Sequence, residues 1–225
     1  MSWRAASEDA DCADIGRVKT EVVPAADPSA IRYAADVLRH DGLVAFPTDT
    51  VYGVGAAAFK GEVVLRLYPL KGRSAEKAIA VLIAGPAELA RIAATVSPEV
   101  ELLAAAFWPG ALTLVVPKQE AVPAAVSPTG TVGVRVPNHS VALALLQVTG
   151  PLAATSANRS GEPSAVTPGQ VLAALDGRID LLIDGGRCPG GLASTVVDCT
   201  LSPPCVLRQG PIGAGSIRAA LHNEG

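Results

Sequence analysis

Pro47-Thr48-Asp49-Thr50-Val51-Tyr52-Gly53 sets two hydroxyls, a carboxylate and a flexible glycine directly after the apolar run Leu43–Phe46. Ligands of open α/β sheets sit beyond the ends of such strands, so this segment can meet a small polar ligand. An ordinary turn is the other reading, because Thr and Asp there also bond the local backbone. Lys71-Gly72-Arg73, with Lys77 and nearby Arg66, concentrates positive charge. Arginine offers a bidentate fork and lysine a mobile point charge, a pairing suited to a triphosphate; the alternative is a solvated loop neutralised by Glu62 and Glu76. In Ala154-Thr155-Ser156-Ala157-Asn158-Arg159-Ser160-Gly161, Ser156 and Asn158 stand two apart and would share one side of an extended segment. Their alternative use is capping.

Two further pieces repeat the pattern: Thr131, Arg135 and Asn138 around Val132–Val136, and Ser194-Thr195-Val196-Val197-Asp198 followed by Leu207-Arg208-Gln209-Gly210. Alternation points Arg135 away from the side chains of Val134 and Val136. A buried arginine needs an anion, either a ligand or an aspartate such as Asp184 or Asp198. His139 is a base or a hydrogen-bonded loop histidine, Trp108 reads as core packing, and Cys188 lies in a Gly-rich stretch with no histidine near it in sequence. The chain carries no G-x-x-x-x-G-K-[ST], no G-x-G-x-x-G after a strand, no H-E-x-x-H and no G-x-S-x-G.

The elements that must position these residues alternate between short β-branched runs and Ala/Leu-rich amphipathic stretches, an α/β pattern. Strands are expected at Thr20–Val23, Leu43–Phe46, Ala78–Ile83, Ala111–Val116, Thr131–Val136, Leu152–Ala154, Leu181–Ile183, Thr195–Asp198 and Cys205–Arg208. Helices are expected at Pro28–Arg39, Glu62–Leu70, Pro86–Ala94, Pro98–Ala106, Val141–Val148 and Pro168–Leu175. One sheet is expected to span the chain. Residues 1–18 read as a flexible leader, 19–213 as one catalytic domain and 214–225 as a C-terminal helix or tail.

The 225 residues suffice for a substantial core, and a hydrophobic fraction of 49% excludes a disordered chain. Aromatics are only 4%, so the core is built from Ala, Val, Leu and Ile. A net charge of -3 excludes a broad basic face for duplex DNA. The four cysteines form no C-x-x-C pair and the three histidines are scattered, which speaks against zinc or a disulfide scaffold. No apolar run is long enough to span a bilayer or act as a signal peptide, so a reducing, cytoplasmic setting is expected.

Taken in order, PTDTVYG, LKGRSAEK, FWPGALTLVV, TVGVRVPNH, ATSANRSG, DGG, STVVD and LRQG closely resemble the YrdC family of L-threonylcarbamoyladenylate synthases, over about Thr20 to Gly213. The resemblance implies a single-domain, twisted, mostly open α/β sheet with flanking helices around a large positively lined cavity. It implies L-threonine, bicarbonate or carbon dioxide, and ATP with Mg²⁺ as reactants, and a separate transferase complex that carries the product to tRNA. Carried over by position, Thr50, Arg135, Ser156 and Ser194 would hold L-threonine, with Arg135 on its carboxylate. Arg73, Lys77, Thr131, Asn158 and Arg208 would hold ATP, and Lys71 and Arg73 would act on the phosphates; no residue is assigned to a metal. The chain departs from the family pattern at Ser74, Leu82 and Gln209 and resembles its short branch, without the extra C-terminal domain of longer members. Weak tRNA binding is a further expected partner contact. Two rival readings are an RNA-binding module lacking this activity and a relative that adenylylates another carbamate.

Overall fold

In a computed structural model, residues 19–72 and 77–222 are described; the expected leader at 1–18 and Arg73 and Ser74 lie outside them. The β-branched runs form strands β1 (Glu21–Pro24), β2 (Val44–Phe46), β3 (Gly53–Ala57), β4 (Ala80–Leu82), β5 (Leu112–Pro117), β6 (Thr131–Arg135), β7 (Leu152–Ser156), β8 (Leu181–Asp184), β9 (Thr195–Asp198) and β10 (Cys205–Arg208). All ten join one mixed sheet in the order β1-β8-β2-β3-β7-β4-β6-β5-β9-β10. The single sheet expected from the alternating pattern is therefore present.

Helices α1 (Ala30–Arg39), α2 (Gly61–Leu65), α3 (Leu67–Lys71), α4 (Pro98–Phe107), α5 (Ser140–Thr149), α6 (Pro168–Leu175) and α7 (Ala214–His222) flank it. The helix expected over Glu62–Leu70 is broken at Arg66 into α2 and α3. Pro69 explains the break, since it has no N–H to bond the carbonyl four residues earlier. Residues Pro86–Arg91 wind as a 3-10 helix instead of the expected longer helix. A proper N-cap is built before α6: Thr167 accepts the Gln170 N–H while the Gln170 side chain accepts the Thr167 N–H.

Strand β3 was not among the expected strands. Its sequence Gly-Val-Gly-Ala-Ala has little β propensity, but small residues are what its neighbour demands. A Cβ on Gly55 would stand 3.3 Å from the Phe46 ring on β2, with which β3 pairs antiparallel.

The two faces of the sheet bury different sets. On one, Val44, Phe46, Leu82, Leu152, Ala154, Leu181 and Ile183 pack with Ala34 and Leu38 of α1 and Ala142, Leu145 and Leu146 of α5. On the other, Ala45, Val81, Leu112, Leu114, Val132, Val134, Ala153 and Leu182 join the larger core with residues of α2, α3, α4, α6 and α7. Ile217 of α7 is 2% exposed there, and α7 packs on α4. Beyond Leu82 and Ala154 the α1/α5 face continues over β4, β6, β5 and β9 with Ala80, Gly133, Thr113, Val115 and Val196. There it opens into a cavity of ≈ 290 Å³. Small side chains on successive strands leave the hollow, and alternation aims the polar residues of those strands into it.

Candidate active site

Arg135 enters the cavity from the end of β6, on the face shared by Thr131 and Gly133, while Val132 and Val134 are buried in the core behind. The direction expected from alternation is the observed one. Its guanidinium donates from Nε to Gly110 O at 2.9 Å, from Nη1 to Thr50 Oγ1 at 3.0 Å and from Nη2 to Asp49 Oδ1 at 2.6 Å. The aspartate it pairs with is thus Asp49, which corrects the expectation of Asp184 or Asp198: the strand end after β2 reaches across the sheet, a proximity no local spacing encodes. Asp49 Oδ1 also accepts the Asn138 N–H at 3.0 Å. Burial depresses the pKa of Arg135, and the Asp49 carboxylate opposes that shift; a guanidinium remains a cation throughout. Two of its five N–H groups are left for a ligand.

Thr48 and Thr50 are linked within their loop, Oγ1 to Oγ1 at 2.9 Å. The Thr48 hydroxyl closes the turn, accepting the Thr50 and Val51 N–H groups at 3.1 and 3.3 Å and donating to Val51 O at 2.6 Å. Thr50, two residues on, is 1% exposed and faces Arg135. Both threonines line the cavity, so the turn reading and the ligand reading of this motif hold together. The Gly-rich segment after β8 clamps the loop from outside, with Gly191 N–H donating to Thr50 O at 2.7 Å. Gly190 approaches so closely that a Cβ there would stand 2.6 Å from Asp49 O. Tyr52 ties the same two segments, donating to Gly186 O at 2.7 Å and accepting the Gly185 N–H at 3.2 Å. Burial pushes its phenol up to about 12.

Ser156, at the end of β7, lines the cavity next to Ala154 and Thr155. Lys71 is only 5% exposed and reaches it from α3. The Lys71 ammonium donates to Ser156 O, to Ser156 Oγ at 3.1 Å and to Asn158 Oδ1 at 3.2 Å. Asn158 in turn donates to Arg159 O at 2.8 Å and Glu162 O at 2.7 Å. Lys71 thus binds the ATSAN segment from behind, and neither it nor Asn158 is among the residues lining the cavity. Asn158 instead borders a second hollow against α6.

On the opposite wall, Ser194 Oγ lies 2.8 Å from Thr113 Oγ1. Arg208 donates from Nε and Nη2 to Ser194 O at 3.0 and 2.8 Å, and from Nη2 to Ser194 Oγ at 3.2 Å. Gly210 allows this closure, because a Cβ there would meet Ala193 O and Thr195 N at 2.4 Å. The structure therefore gathers Thr50, Arg135, Ser156, Ser194 and Arg208 around one cavity. Thr131 stands at the far end of β6, bonded to Thr129, and Lys77 is exposed; neither lines the cavity. Sequence reading passed over Thr113, whose one signal was a hydroxyl inside the apolar strand LTLVV.

Trp108 is 8% exposed and donates to Leu112 O at 2.8 Å, a packing role as expected. His139 stands at the N-cap of α5 with a buried Nδ1 that has no hydrogen-bond partner. Burial lowers its pKa, partly countered by Asp49. Cys188 is 2% exposed and its thiol is raised by burial, so the Gly-rich stretch does not present a reactive thiolate. Among the described residues no group of three or more His, Cys, Asp or Glu side chains could hold a metal ion.

The Sua5/YciO/YrdC family, described as telomere recombination, matches residues 36–210, a span that contains all of these cavity residues. The chain belongs to this family. Relatives in the Sua5/YciO/YrdC family include the threonylcarbamoyl-AMP synthases of Pyrococcus abyssi, 46% identical over 80% of this chain and 54% of its own length, and of Bacillus subtilis, 40% identical over 90% and 59%. The chain thus spans little more than half the length of these relatives. That of Halorhodospira halophila is 36% identical over 86% of this chain and 97% of its own. Among solved structures, P. abyssi Sua5 complexed with L-threonine superposes with a TM-score of 0.86 at 41% identity, covering 90% of this chain and 61% of that one. Escherichia coli YciO shares the fold with a TM-score of 0.79 at 24% identity.

Proposed function

We propose that this chain is a threonylcarbamoyl-AMP synthase, a nucleotidyltransferase that joins L-threonine, bicarbonate or carbon dioxide, and ATP into L-threonylcarbamoyl-adenylate and pyrophosphate. The observation that carries this reading is the Arg135–Thr50 pair, 3.0 Å apart in a cavity ringed by the Ser156 and Ser194 hydroxyls. That set suits a small amino acid, with the guanidinium for its carboxylate and hydroxyls for its polar groups. The relatives' names and the L-threonine complex of P. abyssi Sua5 support the same reading.

In this scheme the substrate carboxylate takes the two Arg135 N–H groups that the protein leaves open. The neutral amine adds to carbon dioxide and loses a proton, giving a carbamate. A carbamate oxygen then attacks the α-phosphorus, the bond from that phosphorus to the bridging oxygen breaks, and pyrophosphate leaves with its electrons. Such a step rests on positioning and charge stabilisation more than on a protein base. Arg208 stands at the cavity wall to meet phosphate; Arg73, Lys77, Thr131 and Asn158 are further ATP contacts by resemblance to the family, the last three from outside the cavity lining. Lys71 acts by holding Ser156 and Asn158 in place. Mg²⁺ enters with the triphosphate as part of the substrate. A sheltered cavity also protects the carbamate and the mixed anhydride from water. The product passes to a transferase that modifies tRNA, and a cytoplasmic setting is part of the same proposal. No helix among the described residues is long and apolar enough to cross a membrane.

The test is pyrophosphate release from ATP, Mg²⁺ and bicarbonate, with and without L-threonine. Release that needs both bicarbonate and L-threonine supports the synthase. ATP binding with no release under any condition overturns it, as does tRNA binding in the absence of every substrate activity.

A further inference from the structure

Thr113 has no role in the reading above, yet it occupies a distinctive place. It stands on β5 between Leu112 and Leu114, both fully buried in the larger core, and its own side chain faces the cavity at 5% exposure. Its hydroxyl is 2.8 Å from Oγ of Ser194, which precedes β9 and lies more than eighty residues away in the chain. Beside it, Gly133 leaves room: a Cβ there would press on Thr113 Cγ2 at 3.0 Å. A purely structural position between two leucines on this strand would be filled well by valine, which has the same shape without the hydroxyl. The hydroxyl is therefore the feature to explain.

Two hydroxyls together carry two protons and four lone pairs. The bond between Thr113 and Ser194 uses one of each, and the Arg208 N–H takes one more lone pair on Ser194. One hydroxyl proton and two lone pairs remain, enough to accept a hydrogen bond from a ligand hydroxyl and to donate one back. Val196, which pairs with Thr113, and Val115 on the same strand line this part of the cavity with methyl groups. A branched side chain bearing one hydroxyl and one methyl matches that surface.

We infer that Thr113 is a specificity-determining residue: paired with Ser194, it reads the side-chain hydroxyl of the amino acid and makes the cavity choose L-threonine over L-valine. This inference rests on the synthase reading and goes beyond it by naming what discriminates the substrate. L-valine has nearly the same volume, so apolar packing cannot reject it. A buried hydroxyl pair left without its partner can, because a site built to bond a hydroxyl discriminates by far more than one built on shape.

The experiment compares kcat/KM for pyrophosphate release with L-threonine, L-serine and L-valine in the wild type and in Thr113→Val, Thr113→Ser and Thr113→Ala. The wild type should favour L-threonine over L-valine by about 10³-fold or more. Thr113→Val should lower that ratio by about 10- to 100-fold, mainly through KM for L-threonine, with KM for ATP unchanged within about twofold. Thr113→Ser should restore the ratio, because it returns the hydroxyl while losing a methyl. Thr113→Ala, which opens space instead of filling it, should lose the ratio as Thr113→Val does, so a folding failure of one variant leaves the other to decide. A wild-type ratio preserved in Thr113→Val or Thr113→Ala overturns the inference while leaving the synthase reading intact. A wild type that shows no L-threonine-dependent release overturns both.

Discussion

The Arg135 guanidinium meets the Asp49 carboxylate at 2.6 Å where the two side chains are only 8% and 14% exposed. The pair joins the end of β6 to the loop after β2, so the residue proposed to take the substrate carboxylate is held by the loop that supplies Thr50. A buried cation stripped of its partner keeps its desolvation cost and loses the compensating attraction.

Asp49→Ala should therefore destabilise the protein by about 2–4 kcal/mol, somewhat below the usual range for a fully buried pair because the adjoining cavity lets water reach the guanidinium. Asp49→Asn keeps acceptors for Arg135 and the Asn138 N–H and should cost less. Urea unfolding of the two variants measures the difference; equal stability of Asp49→Ala and wild type would show that the pair holds nothing.

Gly210→Ala tests the closure behind Arg208. The added methyl would fall 2.4 Å from two backbone atoms, Ala193 O and Thr195 N, and backbone cannot swing aside as a side chain can. A loss of about 1–3 kcal/mol is expected, together with weaker ATP binding as Arg208 is levered off Ser194 O. Full stability and unchanged nucleotide affinity would contradict the close approach.

His139 sets a pH signature. Burial holds its imidazole below the ordinary 6.5 in the folded protein, with the Asp49 carboxylate opposing. Between the folded value and 6.5 the unfolded chain binds more protons than the native one, so stability falls as pH falls. The full contribution is present above 6.5 and is lost on acidification through the folded value. The urea midpoint should drop from pH 7 to about pH 5, and His139→Gln should flatten that slope. An identical slope in the variant would assign the pH dependence to other groups.

Much of the scaffold was legible because the signals were local. Strands β9 and β10 and helix α6 lie where patterning put them, and alternation alone gave the direction of Arg135. Periodicity did not reveal β3, whose glycines answer to the Phe46 ring across the pairing and not to any intrinsic strand preference. Nor did it reveal the break at Arg66, which Pro69 imposes one turn downstream. In the site, ordered motifs drew attention to Thr50, Ser156, Ser194 and Arg208. The Asp49 partner of Arg135 and the Thr113 partner of Ser194 stayed hidden, since each contact spans more than eighty residues. Distances of that kind are set by strand order, which a linear pattern does not encode.

Strand order also constrains how the molecule comes into being. The Thr20 hydroxyl donates to Ile179 O, 159 residues away, and among the described residues β1 pairs with β8 alone. A chain emerging from the ribosome must hold β1 and the apolar residues of β2 without their parallel partner until Leu181–Asp184 has been made. Arg208, the last cavity residue, follows later still. The cavity therefore forms only once Arg208 has been made, when β9 and β10 seal walls begun at Thr50. Mostly non-local pairing of this kind makes for slow folding and prolonged exposure of apolar edges.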